Sequence, residues 1–102
     1  MSYLTDVILI TGIDDGEIDA LNNYLFKEYK DYLFQAGPTT PGKRNLTNNI
    51  FMGCFNYFHI TSFVEIIKEQ IWKDPDWIQL LVQTEDDDKF EIINIQEWGD
   101  DE

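Results

Sequence analysis

Apolar and polar positions change rhythm several times along this chain, and each change marks an element. Residues 7–11, Val-Ile-Leu-Ile-Thr, are β-branched or aliphatic without alternation and end at Gly12. They predict a first strand, central in its sheet and covered on both faces or partly capped at its ends. Asp14 and Glu17 then stand at capping-box spacing, and Ile18, Leu21, Leu25 and Tyr32 follow at steps of three, four and seven. That stripe predicts a helix over residues 15–33, with Asp19, Asn22, Asn23, Lys27, Glu28 and Lys30 on a solvated outer face. Gly37, Pro38, Pro41 and Gly42 break the pattern and predict the longest loop, residues 35–48.

Beyond that loop, Ile50, Met52 and Cys54 alternate with Phe51, Gly53 and Phe55, so both faces are apolar. The segment reads as a second, largely buried strand reaching Tyr57. Ile60, Phe63, Val64, Ile67 and Ile71 form the stripe of a second helix. His59, Thr61 or Ser62 supplies its cap, and Pro75 stops it near Trp72. Residues 76–83 and 90–95 predict a third and a fourth strand, joined by Glu85, Asp86, Asp87 and Asp88 in an antiparallel hairpin. The order β-α-β-α-β-β predicts an α+β fold, a two-layer α/β sandwich with two helices on one face of a four-stranded sheet. Right-handed crossovers are expected wherever its strands are parallel. Residues 1–98 form a single domain and residues 99–102 an acidic tail in this reading, because 102 residues at 43 % hydrophobic suffice for one core.

Charge alters the picture more than length does. Twenty acidic residues against seven basic ones give a formal charge of −13, which disfavours phosphate backbones and anionic membranes. No direct nucleic-acid or membrane partner is expected. Seven Phe, five Tyr and three Trp set the chain apart from disordered acidic segments. Residues 1–6 carry no basic residue ahead of an apolar stretch, and no apolar run approaches the ~18 residues of a membrane span. A cytoplasmic protein is expected, and the lone Cys54 requires no oxidising compartment.

The side chains suited to catalysis are few. Cys54 and His59 are the only residues of their types, five positions apart along a strand and its exit, and do not make a dyad. Cys54 reads as a buried, inert thiol and His59 as a cap or surface residue. One Cys and one His cannot build a tetrahedral metal site, and the hairpin acids lack the spacing of a calcium loop. The segment Gly12-Ile13-Asp14-Asp15-Gly16 lacks the phosphate-loop glycine patterns and points two carboxylates at a helix N-terminus. No cofactor, no metal and no catalytic residue is expected.

One stretch of the chain looks familiar. Ile50-Phe51-Met52-Gly53-Cys54-Phe55-Asn56-Tyr57, then Trp72-Lys73-Asp74-Pro75, then Gln79-Leu80-Leu81 and Asp88-Lys89-Phe90 resemble a family of small proteins of tailed phages and bacteria. In that family a GAFNYL-type strand, a helix ending in W-x-x-P, a VQL-type strand and a D-x-(F/Y) hairpin arm recur. The resemblance covers about half the chain, residues 49–95, and implies an accessory factor acting on a host component. Phe55, Tyr57 and Trp72 are at the same time explicable as core.

Three functional readings follow. The first is a non-enzymatic accessory protein that binds a basic host protein, such as a defence or nucleic-acid-handling factor, through an acidic surface containing Asp14, Asp15, Glu85, Asp86, Asp87 and Asp88. The second is a binder of a phosphorylated or nucleotide ligand, using the adjacent Lys43 and Arg44 of the long loop; twofold assembly would pair two such loops. The third is an immunity protein against a basic toxin.

Overall fold

The computed structural model describes residues 3–35 and 48–95, and the acidic tail, Lys43 and Arg44 lie outside them. The chain forms β1 (Leu4–Thr11), α1 (Asp19–Tyr29), β2 (Phe34–Gln35), β3 (Asn49–Asn56), α2 (Ile60–Glu69), a 3-10 turn (Pro75–Trp77), β4 (Gln79–Thr84) and β5 (Glu91–Asn94). Among the described residues the sheet has five strands in the order β2-β3-β1-β4-β5, and every neighbouring pair is antiparallel. The expected fold class, α+β with two helices and a terminal hairpin, is present. The expected four strands are not, because a two-residue strand, β2, pairs with β3 at one edge. No composition signal distinguishes so short a strand from loop.

β3 and β4 each run antiparallel to β1, so they are parallel to each other with β1 between them. The chain from β3 through α2 to β4 therefore passes over β1. This arrangement makes β1 central, as its sequence suggests, but its burial alternates. Thr5, Val7, Leu9 and Thr11 are buried, while Asp6 is exposed and Ile8 and Ile10 are half-covered. The run reads as uniformly apolar because its second face carries isoleucines that no layer of the described residues covers.

Both helices contribute to one core on the other face. Leu21 and Leu25 of α1, with Ile18 before it, and Phe63, Val64 and Ile67 of α2 pack with Val7, Leu9, Phe51, Phe55, Leu80, Val82 and Ile93. Each such side chain contributes about 1.5–3 kcal/mol when fully buried. Phe55 anchors an aromatic cluster, 5.1 Å from Phe58 and 5.7 Å from Tyr29 between ring centroids. Gly53 faces this core, where a Cβ would stand 3.1 Å from the Phe55 ring and 3.2 Å from Leu33, so the strand accepts no side chain there without displacement.

The ends of the helices differ from expectation for local reasons. α1 starts at Asp19, and its N-cap position, Ile18, offers no side-chain hydrogen bond. The Asp14/Glu17 capping box does not form: Asp15 instead accepts the backbone N–H groups of Lys73 (2.9 Å) and Asp74 (3.0 Å), tying the start of the chain to the exit of α2. α1 ends at Tyr29 because Lys30 takes a left-handed conformation, φ 60°, and its N–H closes on the Phe26 carbonyl. Asn22, expected on a solvated face, holds the chain beyond that turn, accepting the Leu33 N–H at 2.9 Å and donating to the Leu33 carbonyl at 3.2 Å. Leu33 is thereby buried, and Tyr32, expected on the apolar stripe, is exposed.

α2 stops at Glu69, before Trp72, as Gln70 turns extended. The Trp72 indole N–H then donates to the Ile67 carbonyl at 2.9 Å and the Gln70 amide to that of Ile66 at 3.2 Å, which satisfies two carbonyls of the last turn without further helix. His59 stands at the N-cap but makes no side-chain cap bond.

Candidate protein-binding surfaces

The acidic residues singled out in the sequence fall at two ends of the sheet. Asp14 is exposed in the turn after β1, whereas Asp15 is buried, 7 % accessible, and engaged by the Lys73 and Asp74 backbone. Asp15 therefore supports the fold, and of the pair only Asp14 presents its carboxylate to solvent. Glu85–Asp88 lie at the opposite end, a separation of about 23 Å along β1 at the usual rise per residue. The two groups do not form one site.

The hairpin acids are exposed and organised. Glu85 accepts the Leu4 N–H, Asp86 accepts the Tyr3 hydroxyl at 2.9 Å, and Asp87 accepts both the N–H and the hydroxyl of Thr84. These donors are neutral, so the bonds fix the carboxylates in position without cancelling their charge. Asp88 is exposed beside them.

A cleft of ≈ 410 Å³ opens at the same end, lined by Tyr24, Glu28, Tyr29, Asn56, Tyr57, His59 and Ser62. Tyr3 connects it to the hairpin: its backbone N–H donates to Asn56 at 2.9 Å while its hydroxyl reaches Asp86. Tyr24 and Tyr29 meet edge to face at 6.5 Å, and the Tyr29 hydroxyl accepts the His59 N–H at 3.0 Å. Tyr57, read as core in the sequence, is exposed and left-handed at φ 53°, ending β3 and standing at the cleft. Burial, together with the neighbouring Tyr29 and the Glu28 charge, pushes the Tyr24 hydroxyl up to about 12, so it stays neutral at any physiological pH. Three phenol rings and a carboxylate around one opening suit a cationic side chain, which the ring quadrupoles and the charge both attract.

Tyr24, Glu28 and Tyr57 were not legible as a site. Tyr24 and Glu28 are one turn apart on α1, but Tyr57 joins them only because β3 ends beside that helix.

The second surface is the uncovered face of the sheet. The register places Phe34, Met52, Ile8, Leu81 and Ile92 in one row across all five strands. Phe34 is 55 %, Met52 45 % and Ile92 71 % exposed. Asp6 is the only charged side chain among the outward-facing positions of the described strands.

Cys54 lies on this face and is exposed, which corrects its reading as a buried thiol: a second apolar face of β3 exists, but nothing in the described chain covers it. Partial burial, and then the hydrogen bond and charge of Asp6 opposite, raise its pKa and hold the sulfur in the less nucleophilic thiol form. His59 lines the tyrosine cleft on the helical side, so the two residues sit on different faces of the sheet.

Two further clefts flank the exit of α2. One, ≈ 440 Å³, lies between Asp14, Glu17 and Lys73, and the other, ≈ 330 Å³, between Lys68, Pro75 and Ile95. They share the fully exposed Ile71. Among the described residues no group of three or more His, Cys, Asp or Glu is placed to hold a metal ion, and no helix is long and apolar enough to cross a membrane. Every buried side-chain polar atom among them has a hydrogen-bond partner. Compared with known proteins, the chain matches no family model, no curated protein and no solved structure.

Proposed function

We propose that this is a non-enzymatic accessory protein that binds a basic segment of a partner protein at the Tyr3 end of the sheet. The observation that carries the reading is the continuity, through Tyr3, of the anionic hairpin Glu85–Asp88 with the cleft of Tyr24, Glu28, Tyr29 and Tyr57. The hairpin supplies the field that draws a cationic segment in, and the cleft receives one Arg or Lys side chain against aromatic rings. In the phage-type setting implied by the resemblance of residues 49–95, the partner is a host protein.

Titration with an Arg- and Lys-rich peptide, against a neutral peptide of the same length, tests this. Binding selective for the basic peptide is expected, weakening about tenfold or more as salt rises from low to several hundred millimolar, because exposed charges are then screened. Glu28→Gln and Asp88→Lys should each weaken it; neither side chain makes a hydrogen bond that the fold is shown to use. Equal affinity for both peptides, or affinity indifferent to salt, would overturn the reading.

A further inference from the structure

We propose that the open face of the sheet is an interface between two copies of this chain. The inference is independent of the basic-partner reading, since it uses the opposite side of the sheet from the helices and the tyrosine cleft.

Charge placement is the first argument. The chain carries a net −13, yet of the side chains that the described strands turn outward only Asp6 is charged. The rest of the surface carries the acids: Glu17, Asp19, Glu28, Glu65 and Glu69 on or before the helices, and the hairpin at one end. A basic partner finds a single carboxylate, Asp6, to neutralise on the open face. The face, apolar along its central row and nearly without charge, fits a surface of the same kind, which its own copy supplies.

Symmetry is the second argument. The row Phe34-Met52-Ile8-Leu81-Ile92 is centred on Ile8 of the central strand, with two residues to either side. A twofold axis in the plane between two stacked sheets, passing over Ile8, lays this row upon itself whether the axis runs along the strands or across them. In one case Met52 meets Met52 of the second copy; in the other it meets Leu81. Both lay the row apolar against apolar, but an axis along the strands also sets Asp6 against Asp6 of the second copy, which favours the axis across them. Sheets stack in this way about 10 Å apart.

Area is the third. Strands of two, eight, eight, six and four residues, at about 4.8 Å spacing and about 3.3 Å rise, give roughly 450 Å² per copy, or ~900 Å² for the pair. That lies below the usual size of a stable interface and implies a weak, readily reversible dimer. Because both copies are strongly acidic, their mutual repulsion opposes association, and screening it favours the dimer. The dimer therefore tightens with salt, whereas basic-partner binding weakens.

Sedimentation of the full chain over about 1–500 µM, at low and at several hundred millimolar salt, reads this directly. A monomer–dimer equilibrium is expected, at least several-fold tighter at high salt. Met52→Glu combined with Ile92→Glu should leave a folded monomer throughout, since Met52 is nearly half and Ile92 largely exposed already, whereas Ile71→Glu, off this face, should leave the dimer intact. If the double variant loses its folded circular dichroism signal, Ile92→Glu alone, at the sheet edge, must weaken the dimer at least tenfold. Monomer at every concentration and salt, or a variant that dimerises like the parent, overturns the proposal. A monomer that still selects the basic peptide would refute only the dimer. A salt-strengthened dimer indifferent to that peptide would refute only the basic-partner reading.

Discussion

Phe55 and Met52 stand three residues apart on β3, yet one is sealed beneath two helices and the other is nearly half exposed on the open face. The same contrast runs through β1, where Leu9 is buried and Ile8 is half-covered. Both sets of residues are apolar, so hydrophobicity does not separate them. What separates them is the pairing register, which sends alternate side chains to opposite faces, and the position of the helices, which cover only one. An apolar face that runs across every strand, with nothing in the described chain covering it, is a candidate contact surface in a way that scattered surface leucines are not.

The largest test of this contrast is truncation on the two sides. Phe55→Ala should cost about 3–5 kcal/mol, since it opens a cavity inside the aromatic cluster, whereas Met52→Ala in the dilute monomer should cost less than about 1 kcal/mol. Chemical denaturation of the two variants measures the difference, and comparable losses would mean that β3 is covered on both sides. A smaller contrast separates the adjacent acids after β1. Asp15→Ala leaves the N–H groups of Lys73 and Asp74 without their acceptor and should cost about 1–3 kcal/mol, while Asp14→Ala should lie within about 0.5 kcal/mol of the parent. An equal, negligible effect at both positions would remove Asp15 from the framework.

Cys54 gives the smallest effect and reads the open face chemically. In dilute, folded protein it should react stoichiometrically with a disulfide reagent, but with a pH midpoint above that of a free cysteine, because partial burial and Asp6 favour the protonated sulfur. The folded thiol holds its proton to higher pH than the unfolded one. Its small contribution to stability is thus present below the unfolded thiol's pKa and fades as pH rises past it. A thiol that reacts only on unfolding would place Cys54 in the core.

Local signals in the sequence carried the long elements. The step of three and four from Ile60 to Ile67 marked α2, the acidic Glu85–Asp88 link marked the hairpin, and the apolar run ending at Thr11 marked the central strand. Features made by distant residues were not legible. Asp15 looks like a cap until residues 73–74 are seen to take its carboxylate, and Asn22 looks solvated until Leu33 folds back onto it. β2 exists only as two residues paired with Phe51 and Met52. The two candidate surfaces failed to appear for the same reason: the apolar row takes one residue from each of five strands, and the tyrosine cleft takes Tyr57 from a different element than Tyr24 and Glu28. Glu85–Asp88 were recognisable because they are contiguous.

The division of the sheet into a covered and an open face is tested most directly by the isoleucine and methionine methyl groups. In dilute protein with a soluble paramagnetic agent, NMR should show strong relaxation of the Met52 and Ile92 methyls and intermediate relaxation at Ile8. The methyls of Ile18, Ile67 and Ile93 should be nearly untouched, in keeping with their burial. Raising the protein concentration at high salt should then protect Met52, Ile8 and Ile92 together, while Ile71 stays exposed. Methyls of Met52 and Ile92 as shielded as that of Ile67 in the dilute monomer would contradict the account.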